Sequence, residues 1–456
     1  MTDEKSIGII GGGISGLATL HWLRQRFGEG LPITLYEAES RLGGTIGSDH
    51  VEGYICDRGP NGFLDREPLT RQLVSQIGLA DQLYPAAAAA ENRYIYKAGK
   101  LHPVQAHPLK FMTSPLLSVK GRLRLIREPF VRAGDDQKEE SIYDFAARRI
   151  GREAAETMVD PMVSGIFGGD ARKLSLAACF PRMKEMERRY GSLVKALIAV
   201  KRAGKGGGPA GPGGRLTSFK GGNYRLIERL QEIYGEDIRT GAAVTAIGCK
   251  GERFTLNLAS GKLVEHNRLI IATPSYVASD LLKATDGELA AHIGEIPYAP
   301  IIVCCFGYPA NQAGRELDGF GFLIPRHEGR RILGSIWTST IYPEQSPNGT
   351  ILLRTMIGGA TDPEVVALED AEVIDIVRKE LHDIMNLPEQ PEFVRLYRWE
   401  KGIPQYVLGH EKRRQLIERR RQRIPGLSLV GNAYYGIGLN DCVKHAKQIA
   451  DSILIR

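Results

Sequence analysis

Residues 6–10 form a short apolar run, Gly11-x-Gly13-x-x-Gly16 follows it directly, and residues 17–27 then carry apolar side chains at helical spacing. A second apolar run, 33–36, ends at Glu37. Strand, glycine turn, helix and strand in that order make a β-α-β unit with a dinucleotide-binding turn. Each glycine answers a different steric demand. Gly11 permits the tight turn, Gly13 lets a pyrophosphate approach the backbone, and Gly16 lets helix and sheet pack closely. The start of the helix, with Ile14 and Ser15, offers unpaired N–H groups and a positive partial charge to the phosphates. Glu37, followed by Ala38, lies 21 residues past Gly16. There a carboxylate accepts hydrogen bonds from ribose hydroxyls and repels a 2′-phosphate, so NADP is disfavoured.

Arg41-x-Gly43-Gly44-Thr45 comes next. It resembles the second signature of the flavoprotein amine oxidase group, in which the arginine and the glycine pair sit by the FAD pyrophosphate. NAD dehydrogenases lack this sequel, so FAD is the expected cofactor. Thr45 stands where the group carries a basic residue, a departure that weakens or removes that contact. Near the C-terminus a strand over 427–430 leads into Gly431-Asn432-Ala433-Tyr434-Tyr435-Gly436-Ile437-Gly438-Leu439-Asn440-Asp441 and then a helical stretch, 442–454. That arrangement sets the N–H groups of Ile437, Gly438 and Leu439 beside a flavin pyrimidine oxygen, where they stabilise negative charge on the reduced ring.

A chain of 456 residues exceeds the ~250–300 at which single cores stop growing, so several domains are expected. Its hydrophobic share of 43% and charged share of 25% are those of an ordinary soluble protein. No apolar run approaches the ~20 residues that span a bilayer. The polar N-terminus leads straight into a strand, so no signal peptide and a cytoplasmic location are expected. The six cysteines show no metal or disulfide spacing and read as buried thiols, with no metal site. Residues 85–201 are mostly helical in pattern, 242–273 are strand-rich with Gly261 at a hairpin turn, and 300–399 suggest an antiparallel sheet. The stretch from Gly204 to Gly214 is glycine and proline with little else, and reads as a mobile loop.

Further stretches resemble the protoporphyrinogen oxidases and their coproporphyrinogen-oxidising relatives nearly end to end. They are Gly53-Tyr54-Ile55-Cys56-Asp57-Arg58-Gly59-Pro60-Asn61, Ser164-Gly165-Ile166-Phe167-Gly168-Gly169-Asp170, Gly319-Phe320-Gly321-Phe322-Leu323, and Pro404-Gln405-Tyr406 with Gly409-His410. The resemblance implies an α/β (α+β) chain: a Rossmann-like FAD-binding domain in three pieces (1–84, 220–290, 406–456), a mixed-sheet substrate domain (291–405) and a helical domain (85–203) that often rests on a membrane. It implies a six-electron oxidation of a porphyrinogen in heme biosynthesis, with O2 as acceptor and H2O2 as product. Gly59, Pro60 and Asn61, with Val244, Thr273 and Gly431, then belong to the FAD site. Leu323, Ile336 and Met356 sandwich the tetrapyrrole, Arg93 pairs with a propionate through a two-bond fork, and Asn61 and the Gly169 carbonyl face the ring nitrogens. No general base is evident, and His102 and His410 read as structural.

The resemblance also allows a homodimer, peripheral contact with the inner face of the cell membrane, and hand-off to a ferrochelatase. Residues 120–132 alternate cations with Leu123, Leu125, Ile126 and Phe130, as a bilayer-surface segment would. Residues 412–423 are strongly basic with few aromatics and read as a solvated helix, without the stacking residues that nucleic acid needs. Two other readings stay open: another oxidase of the amine oxidase type, acting on amines or carotenoid precursors, and a non-catalytic flavoprotein. Against an amine oxidase, Cys442 lies past the glycine turn with no aromatic pair about it.

Overall fold

The structure, a computed structural model, describes residues 5–104, 113–202, 214–251 and 253–454. The glycine and proline stretch lies, except for Gly214, outside the described residues. The first apolar run is the strand Ile7–Ile10, buried at every residue. It sits at the centre of a five-stranded sheet ordered Ile238–Arg239, Ile33–Tyr36, Ile7–Ile10, Arg268–Ile271, Leu427–Leu429. All the pairings are parallel, with Ile10 between Tyr36 and Ile271. A parallel strand covered on both faces needs a continuous apolar run, which Ile7-Gly8-Ile9-Ile10 provides.

The helix Ile14–Phe27 and the C-terminal helix Leu439–Ser452 cover one face, where Leu17, Leu20 and Leu23 share a core with Val443, Ala446 and Ala450. Leu281, Leu282 and Ile293, from Ser275–Leu282 and Gly287–Gly294, cover Leu269 and Ile271 on the other. Three distant stretches of chain therefore build one dinucleotide-type half.

The second half is a seven-stranded sheet ordered Phe393–Pro404, Tyr298–Pro309, Thr350–Gly358, Ile332–Trp337, Gly321–Leu323, Tyr94–Lys97, Lys100–Pro103. One face packs on the helix Asp370–Met385, with Ile302, Phe306 and Leu353 against Val373, Val377 and Leu381. The other face carries Val303, Cys305 and Leu352 against Tyr54 and Cys56, and so looks toward the dinucleotide half.

Two of these strands were expected to be helical. Tyr94–Lys97 and Lys100–Pro103 form a hairpin, and the first runs parallel to Gly321–Leu323. Tyr94 and Tyr96 favour a strand, and Ala98 and Gly99, with φ of 50° and 79°, make the left-handed pair that a tight hairpin turn requires. Among the described residues of this stretch, α-helices run over Val119–Ile126, Ile142–Ile150, Asp160–Phe167, Pro181–Tyr190 and Leu193–Arg202. Cys249 is exposed and Cys179 partly so, whereas buried thiols were expected. Among the described residues no helix is long and apolar enough to cross a membrane.

Candidate active site

The glycine turn is closed on one side and open on the other. A Cβ on Gly16 would lie 1.9 Å from the Gly11 carbonyl oxygen, and one on Gly11, whose φ is +107°, would lie 2.9 Å from that of Ala272. At Gly13 no atom comes within 4 Å of that position, which leaves its backbone approachable. The Glu37 carboxylate shapes this turn, accepting the Gly12 N–H at 2.6 Å and the Glu39 N–H at 2.9 Å. An ionised carboxylate has about four lone-pair sites, so both oxygens retain capacity for a hydroxyl. Ala38 beside it is exposed. Backbone bonds from Gly241 to Glu39 and from Ala242 to Glu37 bring the start of Val244–Lys250 alongside.

Gly43 donates its N–H to the Gly12 carbonyl at 2.8 Å and pairs with Gly13 in an isolated bridge. Arg41 braces this second turn from within, donating to the carbonyls of Leu42, Gly44 and Ile46. The Thr45 carbonyl in turn packs on Gly59, where a Cβ would lie 2.1 Å from it. Thr273, two residues past the neighbouring strand Arg268–Ile271, has its hydroxyl buried and without a protein partner. Gly431, with φ of +141°, lies beside it.

The C-terminal turn is held by a tyrosine. Tyr406 donates its hydroxyl to the Asn432 carbonyl at 2.5 Å and accepts the Gly436 N–H at 2.8 Å, spanning the glycine run. Its ring stacks on His410 with centroids 4.1 Å apart. Gly436 leaves no room for a Cβ, which would lie 2.4 Å from the Asp441 carboxyl carbon. Asp441 accepts the Gly438 N–H at 3.1 Å, and burial raises its carboxyl above the usual range. The helix opens at Leu439, so the first-turn N–H groups of Leu439 and Asn440 have no partner within it. Ser15, at the start of the first helix, is buried.

The large sheet supplies the facing wall. Directly opposite residues in antiparallel strands share a face. Leu323 lies opposite Gly334, and Gly334 opposite Met356; Gly321 lies opposite Ile336, and Ile336 opposite Arg354. Leu323, Ile336 and Met356 therefore stand on one face, the one turned toward the dinucleotide half. The helix Asp160–Phe167 crosses Leu323 so closely that a Cβ on Gly165 would lie 2.7 Å from it. The following loop is tied to the sheet by the Ala360 N–H, 2.7 Å from the Gly168 carbonyl, and Gly169 is buried against Gln405 and Leu174.

The Asn61 Nδ2 is buried and has no protein partner. Arg93 is exposed just before the inner strand Tyr94–Lys97, its guanidinium 5.4 Å from the centroid of Phe320. Phe320 itself packs into the cluster around Ile336. Two residues that the motifs did not mark as functional complete the wall. Asp57 is buried, accepting from the Ser48 hydroxyl at 2.5 Å and the Asn223 N–H at 3.2 Å. Arg354 reaches from the sheet to the carbonyls of Asp57 and Gly59. Asp57 falls within the Gly53 to Asn61 stretch but carries no expected role there, and Arg354 sits in no local pattern that would single it out.

These residues fit a flavin dinucleotide: an approachable glycine turn, an acid with spare acceptors at the second strand, an orphaned hydroxyl at Thr273, and a second helix N-terminus at Leu439. Residues 14–454 match the model of the family described as flavin containing amine oxidoreductase. The chain belongs to that family. FAD is its cofactor, and it is an oxidoreductase. It is 31% identical to the coproporphyrinogen III oxidase of Bacillus subtilis (strain 168), over 100% of this chain and 99% of that protein. It is 30% identical to a chloroplastic protoporphyrinogen oxidase of Oryza sativa subsp. japonica, over 98% of this chain and 87% of that one. A crystal structure from Exiguobacterium sp. 255-15, named as a candidate protoporphyrinogen oxidase, superposes with a TM-score of 0.85 at 25% identity over 99% of both chains.

Proposed function

We propose that this flavoprotein oxidises a porphyrinogen, coproporphyrinogen III or protoporphyrinogen IX, to the corresponding porphyrin in heme biosynthesis. The observation that carries the reading is the single sheet face bearing Leu323, Ile336 and Met356, turned toward the dinucleotide half, with Arg93 exposed beside Phe320 at the start of Tyr94–Lys97. A cyclic tetrapyrrole is a broad apolar disc with carboxylates on its rim, so it needs an apolar slot and a cation at the slot's mouth. Leu323, Ile336 and Met356 supply the first and Arg93 the second. Asn61 has both an acceptor and donors on its amide, so it can serve a pyrrole N–H before oxidation and an imine nitrogen after it. The Gly169 carbonyl accepts from another ring N–H. With FAD bound, two electrons leave the ring at each turn and pass on to dioxygen, so that three turns remove six electrons and six protons and leave three H2O2. The N–H groups of Leu439 and Asn440 favour negative charge on the cofactor. The pyrrole N–H groups themselves release protons, and no side chain is assigned as general base.

Oxygen uptake by the purified holoprotein, measured with each porphyrinogen and with simple primary amines, tests this. Uptake with a porphyrinogen accompanied by porphyrin fluorescence is expected. Uptake with amines alone would replace the reading with an amine oxidase.

The proposal extends to a peripheral contact with an anionic membrane. Val119, Leu123, Ile126 and Phe130 are 67%, 53%, 53% and 88% exposed, and Ile198 is 48% exposed. They flank the exposed Lys120 and Arg127. Between them the Glu128 carboxylate, fully buried, pairs with Arg149 and accepts from Ser192 and the N–H groups of Leu193 and Val194. Burial opposes its ionisation, but these bonds outweigh that and hold the carboxyl below the usual range. Apolar side chains beside cations suit an anionic leaflet. Sedimentation with anionic but not zwitterionic vesicles, lost in Phe130→Ser, supports the contact; equal recovery from both lipids contradicts it.

A further inference from the structure

Arg354 lies within the strand Thr350–Gly358 and is 6% exposed. Its Nε donates to the Asp57 carbonyl at 3.2 Å and its Nη2 to the Gly59 carbonyl. Those carbonyls lie 297 and 295 residues away in sequence, in the segment that ends at Asn61. Among the described residues Arg354 has no ion-pair partner, and Asp57 acts on it only at Coulombic range. Burial also raises the Asp57 carboxyl above the usual range, which weakens its counter-charge. Two other groups near it are neutral. Hydrogen bonding with Cys305 and burial push the Cys56 thiol far up, and burial does the same to the Tyr397 phenol.

A buried cation without a paired carboxylate is costly, and a neutral donor could bind backbone carbonyls without that cost. The position of Arg354 suggests what the charge serves. It stands opposite Ile336 and two residues from Met356 on the proposed substrate face. It is also joined to the dinucleotide turn by an unbroken series of contacts: Gly13 to Gly43, then Thr45 to Gly59, then Gly59 to Arg354. Arg354 thus ties the dinucleotide turn to the sheet face on which the substrate is proposed to lie.

We propose that Arg354 is a positioning residue for the flavin: its fork fixes the segment from Asp57 to Asn61, and its buried charge favours the negative charge that the ring carries once reduced. The inference rests on the flavin chemistry of the proposed oxidase, and is independent of the identity of the substrate. The test uses holoprotein, and its readouts are the midpoint potential of the flavin and the FAD dissociation constant, with no porphyrinogen present.

Arg354→Gln should lower the equilibrium constant for two-electron flavin reduction about tenfold or more, about 30 mV per factor of ten. Arg354→Lys keeps the charge but cannot span both carbonyls, so its potential should stay near the parent's while FAD dissociates several-fold more readily. A parent-like potential in folded Arg354→Gln overturns the electrostatic role. If Arg354→Gln does not fold, Arg354→Lys decides alone: parent-like FAD affinity, or a potential lowered about tenfold in reduction equilibrium, overturns the proposal. A protein that passes these tests yet leaves porphyrinogens untouched would fail only the substrate reading.

Discussion

Glu37 gives the most quantitative handle on the cofactor site. Its two carboxylate oxygens accept N–H groups from Gly12 at 2.6 Å and Glu39 at 2.9 Å, and the ribose hydroxyls of FAD would add to these. Glu37→Ala removes both sets. In the apoprotein it strands the N–H of buried Gly12, which costs roughly 1–3 kcal/mol. Loss of the charge-assisted ribose bonds costs roughly a further 1.5–3 kcal/mol, about a tenfold to hundredfold rise in the FAD dissociation constant. Glu37→Gln should lie between, because one amide orientation turns its NH2 against Gly12 and the other against Glu39. Apoprotein titrated with FAD and followed by flavin fluorescence gives the affinity, and urea unfolding of the same apoprotein gives the stability. An FAD dissociation constant unchanged in Glu37→Ala would refute the ribose role and leave Glu37 as a brace for the glycine turn.

Two further outcomes are expected. Arg93→Ala should lower kcat/KM for the porphyrinogen by roughly 1–3 kcal/mol, around tenfold to hundredfold, and Arg93→Lys should recover part of it; parent-like kcat/KM in the alanine variant, with bound FAD and Tm unchanged, would return Arg93 to the ordinary surface. His266, His410 and His445 are each held neutral by burial down to about pH 4. The unfolded chain takes up their protons below about pH 6.5, so stability should fall from about pH 6.5 toward pH 4, by up to ~1.4 kcal/mol per pH unit for each histidine. Equal urea midpoints at neutral pH and near pH 5 would contradict that.

The dinucleotide half was legible because its signals are local. Gly11, Gly13, Gly16 and Glu37 fall within one β-α-β unit, and the spacing of the C-terminal glycines before a helix is readable without any partner. The hairpin of Tyr94 to Pro103 was hidden because each strand has four residues, and its place in the sheet depends on pairing with Phe322 and Leu323, far along the chain. Tyr406 stood in a recognised motif, yet its function as a strap across the glycine turn becomes visible only when Asn432 and Gly436 lie beside it. Arg354 was beyond reach of any local pattern. In sequence it is a charged residue in an apolar strand, and its meaning comes from carbonyls nearly 300 residues away. The run 412–423, read as a solvated helix, lies mostly in the helix His410–Arg421, which exposes Lys412, Gln415 and Arg419 but buries His410 and Ile417 and half-buries arginines paired with Glu411, Glu418 and Asp286.

The most direct test of porphyrinogen oxidation is a single turnover without oxygen. Purified holoprotein is mixed anaerobically with coproporphyrinogen III or protoporphyrinogen IX while flavin absorbance and the oxidised tetrapyrrole are followed together. The flavin should bleach as the tetrapyrrole is oxidised, and air should restore it with formation of H2O2. A flavin that stays oxidised in the presence of both porphyrinogens, yet is reduced by an amine, would contradict the proposed function.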